Sequence, residues 1–504
     1  MQTTVREVER KYELPAGVVL PALDDLPGVA VDPAADVFRL EAVYFDTADL
    51  RLAANRITLR RRTGGDDAGW HLKLPAGPDG RDEIHWPLGR SSRTVPADLA
   101  ALVASFARGT KLEPVARIRT TRTRRRLRDD AGEVLAELVA DDVAGEALGR
   151  EVTVSTWSEI EVELAGGERD LLDRVEKRLR SAGVRRSAYA SKLARVLGDR
   201  LGGPAGRPKG KKRSTVGDAV VVHLREQADT LLAYDPRVRR DEPDAVHKMR
   251  VSTRRLRSAL QTFGTVVDRR ATRPLTDELK WLAGVLGEAR DLEVLRERFA
   301  SQVAATADDL VIGPVQARIT GHLAHRQAEA RDHVLEALNS ERYFALLDAL
   351  DGLVDDPPLR GGSRRPAGKE LPRTLRKSHR RVSRRVSAAV DLGPGPERDH
   401  ALHEARKAAK RARYAGELAR PALGRTAKRF AGEMEGVQEE LGAHQDSVVA
   451  RRVLREIGMQ AHLAGENGFT FGLLYGGEQQ RADLVEARIP EVRTAVRAAK
   501  RRLG

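Results

Sequence analysis

The sequence predicts two structural halves: an α+β domain built on an eight-stranded antiparallel β barrel with flanking helices, then an all-α domain of two helical bundles. Three observations predict this. Short alternating runs, punctuated by turn residues, fill roughly residues 1–200. A Gly-, Pro- and Lys/Arg-rich stretch, Gly198–Ser214, follows them. From Thr215 onward apolar residues recur three and four apart, and that region contains an internal repeat.

The alternating runs are Val5–Tyr12, Leu40–Phe45, Ile57–Arg62, Trp70–Leu74, Glu83–Leu88, Val115–Leu127, Val134–Asp141 and Glu159–Leu164. Turn signals separate many of them: Gly64-Gly65-Asp66-Asp67, Gly77-Pro78-Asp79-Gly80 and Asp129–Gly132. Helical patterns intervene at Pro96–Ala107, after a proline start, and at Glu168–Ser181.

Strand side chains alternate between two faces, so parity sorts the charges. Glu7, Glu9 and Lys11 share a face, as do Arg60 with Arg62 and His71 with Lys73. So do Arg122, Arg124 and Arg126, then Glu137 and Asp141, and then Glu159, Glu161 and Glu163. Val8, Leu59, Leu72, Leu138, Ile160 and Val162 hold the opposite parity, but so do Arg10 and Arg61. The pattern fits a charged outside over an apolar core. It fits equally a charged lumen whose apolar side is covered by helices.

A chain of 504 residues predicts two or three domains. The formal net charge of +15 predicts a polyanionic partner: nucleic acid, an anionic membrane or polyphosphate. Aromatic residues make up 4%, which argues against base stacking and makes nucleic acid an unlikely partner. The absence of cysteine excludes disulfides and thiolate metal sites and fits a cytoplasmic location. No apolar run is long enough to span a bilayer, so no membrane partner is expected.

Taken in order, Glu7-x-Glu9-x-Lys11, Tyr44-Phe45-Asp46-Thr47, Leu59-Arg60-Arg61-Arg62, Lys73, Glu137-x-x-x-Asp141, Glu161-x-Glu163 and Ser191-Lys192 resemble the CYTH family, the triphosphate tunnel metalloenzymes. The resemblance covers about residues 1–200. It implies that the charged face lines an eight-stranded tunnel and that Glu7, Glu9 and Lys11 form the catalytic signature. It implies that Glu7, Glu9, Glu137, Asp141, Glu161 and Glu163 hold Mg²⁺ or Mn²⁺ through oxygen. Lys11, Arg60, Arg62, Lys73, Arg122, Arg124 and Lys192 are the implied grip on a triphosphate. Arg81 and Glu83 match a secondary R-x-E. The register of Val115–Leu127 stays open, because Arg119 and Arg122 cannot both face inward on an unbroken strand. The implied activity is hydrolysis of inorganic or related triphosphates. The competing activities are adenylate cyclase and non-catalytic polyphosphate binding.

In the second half, His247-Lys248-Met249-Arg250 recurs as His403-Glu404-Ala405-Arg406. Leu286-Gly287-Glu288-Ala289-Arg290-Asp291 recurs as Leu441-Gly442-Ala443-His444-Gln445-Asp446. His247, Arg250, Arg254 and Arg257 share one helix face, with Arg255 beside it. The second copy repeats this with His403, Arg406, Lys410 and Arg413, and with Arg411 and Lys407 nearby. Like charges this close repel, so the stripe predicts a counter-anion, with Asp291 and Asp446 as internal partners. The two His-x-x-Arg helices resemble the CHAD family, the conserved-histidine α-helical domains. That resemblance implies two four-helix bundles related by a pseudo-twofold, with basic faces that bind polyphosphate, and association with polyphosphate granules. No metal-ligand spacing surrounds either histidine. The expected domains are 1–200, a linker at 201–214, and 215–504 with repeats near 215–354 and 373–504. The segment Asp355–Pro372 separates the copies. The sequence carries no signal for oligomeric state.

Overall fold

The structure is a computed structural model that describes residues 3–76, 80–89, 94–149, 152–201 and 215–501. The chain divides into two compact units, Met1–Lys209 and Gly210–Gly504. Residues 202–214 of the expected linker, including the basic run Lys209–Arg213, lie outside the described residues, as do 77–79 of one expected turn.

The strands of the first unit are β1 (Thr3–Leu14), β2 (Ala30–Val31), β3 (Asp36–Asp46), β4 (Thr58–Thr63), β5 (Gly69–Pro75), β6 (Gly80–Trp86), β7 (Glu113–Arg128), β8 (Val134–Ala147), β9 (Thr153–Leu164) and β10 (Arg185–Arg186). Their order is β1-β6-β5-β4-β3-β7-β8-β9, and β9 pairs back onto β1. Every pairing is antiparallel, so eight strands close into the expected barrel. The short β2 and β10 attach to β7 and β1. Strands β3, β8 and β9 run beyond the alternating runs. Their extra residues include the exposed Val37 and Val154, so the sequence shows no burial rhythm there.

Helices α1 (Arg51–Ala54), α2 (Ala97–Leu102), α3 (Ala104–Ala107), α4 (Arg169–Ser181) and α5 (Lys192–Leu197) flank the barrel. The stretch expected to be one helix at 96–107 is two, because Val103 leaves helical geometry at φ −112°, ψ 5°. The outward faces of Tyr12, Leu127, Leu138, Ile160 and Val162 pack against Leu171, Leu172, Val175 and Leu179 of α4. Each such burial contributes about 1.5–3 kcal/mol. Arg10 sits on this apolar side because α4 supplies its partners, Asp173 at 2.7 Å and Glu176 at 2.8 Å. At one end of the barrel, Leu193, Val196 and Leu197 of α5 pack on inward residues Ala42, Tyr44, Ile118, Val143 and Trp157. The inward position Gly145 makes room for this, since a Cβ there would lie 2.3 Å from Val196 Cγ2.

The second unit is helical: α6 (Val216–Arg239), α7 (Ala245–Thr262), α8 (Arg273–Ala304), α9 (Val315–Asn339), α10 (Glu341–Asp355), α11 (Ala367–Val390), α12 (Pro396–Leu423), α13 (Arg425–Leu463) and α14 (Phe469–Arg501). One hydrophobic core runs through both copies of the repeat. A second core joins α8 and α9 to α13 and α14. Helix α11 begins at Ala367 and carries Pro372 within it, because Leu371, Leu375, Val382 and Val386 keep an unbroken buried stripe.

Candidate active site

The charged parity faces the barrel interior. Lys73 Nζ lies 2.6 Å from Glu7 Oε2, and Lys11 pairs with Glu161 and with Glu9 at 3.0 Å. Arg122 binds Asp141 through both Nε and Nη2, at 2.8 and 2.7 Å, and reaches Glu161 at 3.0 Å. This settles the register of β7: Ala116, Ile118, Thr120, Arg122, Arg124 and Arg126 share the inward parity, and Arg119 is exposed. Arg60 donates to the Tyr44 hydroxyl at 3.4 Å. The Ser191 hydroxyl caps α5 by accepting from Ala194 N, and this sends Lys192 into the lumen.

Lys192 sits among three carboxylates. Its Nζ is 2.9 Å from Asp141, 2.7 Å from Glu159 and 2.9 Å from Glu161. These carboxylate oxygens lie within 4.8 Å of one another. Their spacing would suit a cation, and a lysine ammonium already fills that role. Burial opposes ionisation of Glu161, but Lys11, Lys192 and Arg122 hold its carboxyl well below the usual range. Burial opposes ionisation of Asp141 too, but Lys192 and Arg122 hold it low.

Glu7 and Glu163 behave differently. Burial, then the hydrogen bond with Glu83, pushes the Glu7 carboxyl up to about 8, against the pull of Lys73. Burial pushes Glu163 up to about 7, and Glu9, Glu161 and Glu83 add repulsion. Glu9 and Glu163 face each other across β1 and β9. Buried carboxylates that their lysine neighbours do not fully offset, as at Glu7 and Glu163, have the chemistry that suits a hard divalent cation.

Other predicted residues sit toward the mouth opposite α5. Glu137 pairs with Arg126 at 3.6 Å and Arg124 at 4.0 Å. Arg124 also contacts Asp36 and Asp66, and Arg62 pairs with Asp67. Thus the β4–β5 turn leans its two aspartates onto inward arginines. Gly64 permits that turn: its φ is +80°, and a Cβ would lie 2.1 Å from Arg39 O. Two motif residues are structural. Asp46 accepts from the backbone N–H groups of Thr47, Leu52 and Ala53, and Arg81 donates to Ala190 O ahead of Ser191. Sequence reasoning left Glu159 out of the site and ranked Glu83 second. Glu83 lies 2.8 Å from His71 and 3.6 Å from Lys73. Parity signalled Glu159, and the R-x-E match signalled Glu83.

In the helical unit, the repeat has a physical basis. Arg250 reaches Asp291 at 3.0 Å and Arg406 reaches Asp446 at 3.3 Å. Each guanidinium passes over a glycine: a Cβ at Gly287 would meet Arg250 Nη2 at 3.3 Å, and one at Gly442 would meet Arg406 Nη2 at 3.1 Å. Arg254 and Lys410 join this cluster. Burial, then Arg254, Arg406 and Arg250, pulls the Lys410 ammonium down to about 6. Burial pulls His247 and His403 below the ordinary histidine range, and neighbouring cations add to it. Four of the expected basic residues point elsewhere. Arg255 and Arg413 share Glu417, Lys407 pairs with Glu404 at the surface, and Arg411 lines a separate groove. The helical periodicity groups Arg411 loosely with Lys410, but one residue along a helix is a turn of about 100°. Arg257 lies near Arg411 and lowers its pKa.

Comparison with known proteins follows the same division. A CYTH domain model matches residues 5–196 and a CHAD domain model matches residues 222–455. Uncharacterized protein Rv2226 of Mycobacterium tuberculosis is 41% identical, covering 97% of this chain and 96% of its own. PptA from Streptomyces chartreusis is 21% identical over 57% of this chain and 99% of its own, with a TM-score of 0.47. The CHAD domain from the plant Ricinus communis is 23% identical over 57% of this chain and 94% of its own, with a TM-score of 0.43. The chain belongs to the family of proteins in which a CYTH domain, a triphosphate tunnel, precedes a CHAD domain.

Proposed function

We propose that the barrel unit hydrolyses inorganic triphosphate, or a closely related triphosphate, in a metal-dependent reaction, and that the helical unit binds polyphosphate. One observation carries this reading: a row of cations and a set of buried carboxylates line the inside of one closed barrel. Arg60, Arg62, Lys73, Arg122 and Lys11 grip the phosphoryl oxygens, with arginine forks binding two at a time. Glu7, Glu9 and Glu163 hold Mg²⁺ or Mn²⁺, which supplies charge neutralisation at the phosphate oxygens. Asp141, Glu159 and Glu161 orient Lys192 and Arg122. In the reaction, a water oxygen bonds to the terminal phosphorus and the bridging P–O bond breaks. Pyrophosphate leaves, and the water's proton passes to solvent or to a product oxygen. In the helical unit, Arg250, Arg254, Arg406 and Lys410 form the polyphosphate face beside His247 and His403.

The test is phosphate release from tripolyphosphate with Mg²⁺ or Mn²⁺. The expected result is metal-dependent turnover that falls at least about a hundredfold in Glu7→Gln. Tight binding without turnover overturns the hydrolase reading. Cyclic AMP formed from ATP in place of phosphate reassigns the reaction to a cyclase.

A further inference from the structure

The helical unit holds a second basic cavity, of about 510 Å³, between α7, α11 and α12. Arg269, Lys377, Arg381, Arg384, Arg385 and Arg411 line it, and no carboxylate or aromatic side chain does. None of the six makes an ion pair among the described residues. Arg269 donates to Gln261 O at 2.7 Å. Glu404, which bears on Arg385 and Arg411, is engaged by Lys407 at 2.8 Å. Burial of Arg411, then Arg381 and Arg257, lowers its pKa against the pull of Glu404, so positive charge outweighs negative in the groove.

The arrangement comes from one helix. Thr374, Lys377, Ser378, Arg381, Arg384 and Arg385 follow helical spacing along α11, flanking its buried Leu371, Leu375, Val382 and Val386. The corresponding helix of the first copy, α6, carries four carboxylates and three arginines, whereas α11 carries eight cations and one carboxylate. The groove is therefore a feature of the second copy and not of the repeat. It is also separate from the Arg250, Arg254, Arg406 and Lys410 cluster, because Arg411 points away from Lys410 around α12.

We infer that this groove is an independent binding site for a compact anion with closely spaced phosphoryl groups. Six cations and the Ser378 hydroxyl match several phosphoryl groups in one small volume. Widely spaced phosphates of a nucleic acid would leave part of this charge unmatched, and no ring is present for a base to stack on.

Lys377 reports on the site directly. The full-length protein, in EDTA so that the barrel is idle, is acetylated with a lysine-reactive ester, and Lys377 labelling is read by mass spectrometry. Tripolyphosphate and inositol hexakisphosphate are the two probes, one a linear condensed phosphate and the other phosphates on a carbon ring. At least one is expected to slow Lys377 labelling fivefold or more at micromolar concentration, and the tighter one names the source. Arg381→Ala/Arg384→Ala/Arg385→Ala, with its fold checked by circular dichroism, should need at least tenfold more ligand. Arg254→Ala/Lys410→Ala should need no more than wild type. The inference is overturned if neither probe protects Lys377 up to millimolar concentration. It is also overturned if sulfate of equal ionic strength, or a DNA duplex of equal phosphate concentration, protects as well. Turnover in the barrel and binding at the Arg254 face are not read by Lys377, so this result stands apart from the fate of the proposed function.

Discussion

Lys192 Nζ lies 2.9 Å from Asp141 Oδ2, and both groups are buried in the barrel. This contact ties the first residue of α5 to β8. It also neutralises part of the acidic set that includes Glu159 and Glu161. Lys192→Met strips this cation and leaves buried carboxylates clustered, at a cost of about 3 kcal/mol. Thermal unfolding should show a clear drop in Tm. Added Mn²⁺ should restore more of it in the variant than in wild type, because the freed carboxylates can then take a cation. Equal shifts in both proteins would contradict the assigned role.

Asp66 and Asp67 rest on Arg124 and Arg62 at the mouth. On the proposed function, they would compete with an incoming polyanion for the same guanidinium groups. Both aspartates are largely exposed, so their effect is modest. Asp66→Asn/Asp67→Asn should lower KM for tripolyphosphate by roughly two- to fivefold with kcat unchanged. Steady-state kinetics at fixed ionic strength decides it.

Arg254 and Arg255 are neighbours in sequence with different fates. Arg255 is engaged by Glu417 at 2.7 Å and lies over the Tyr414 ring, whereas Arg254 faces the cationic cluster. Arg254→Ala should weaken polyphosphate binding by about tenfold or more. Arg255→Ala should weaken it less than about threefold while lowering Tm. Titration calorimetry and thermal unfolding on the same pair of variants separate the two roles.

Lys410 sets the pH dependence of that face. Its free-state pKa is about 6, held there by burial and by Arg254, Arg406 and Arg250, with Asp446 opposing. A bound polyanion favours the ammonium and raises the pKa, so binding takes up a proton above pH 6. Affinity should therefore fall as pH rises from about 6 toward the bound-state pKa, by at most about tenfold per pH unit, and be flat with respect to this group below 6. Lys410→Arg, which stays charged, should flatten the profile. An unchanged slope in that variant rules out Lys410 as the cause.

The barrel and the helical half were legible because period 2 and the three-and-four spacing are strong signals, and the ordered charges carried the family likeness. Parity by itself left the charged face undecided between lumen and exterior. The decision rests on α4, whose packing covers the outward apolar positions and which no strand pattern encodes. Arg10 looked anomalous until Asp173 and Glu176 came into reach from α4. The contact of Lys192 with Asp141 and Glu161 is likewise hidden in sequence, because Lys192 is distant from both along the chain. The α11 groove is not legible in one helix alone, because Arg269 and Arg411 complete it from other segments of the chain.

Helix α5 turns the barrel from a pipe into a blind socket. Leu193, Val196 and Leu197 fill one end against the inward Tyr44, Val143 and Trp157. On the proposed function, such a cup would admit a chain of phosphates terminus first, so it would favour short oligomers and shorten longer ones from a tip.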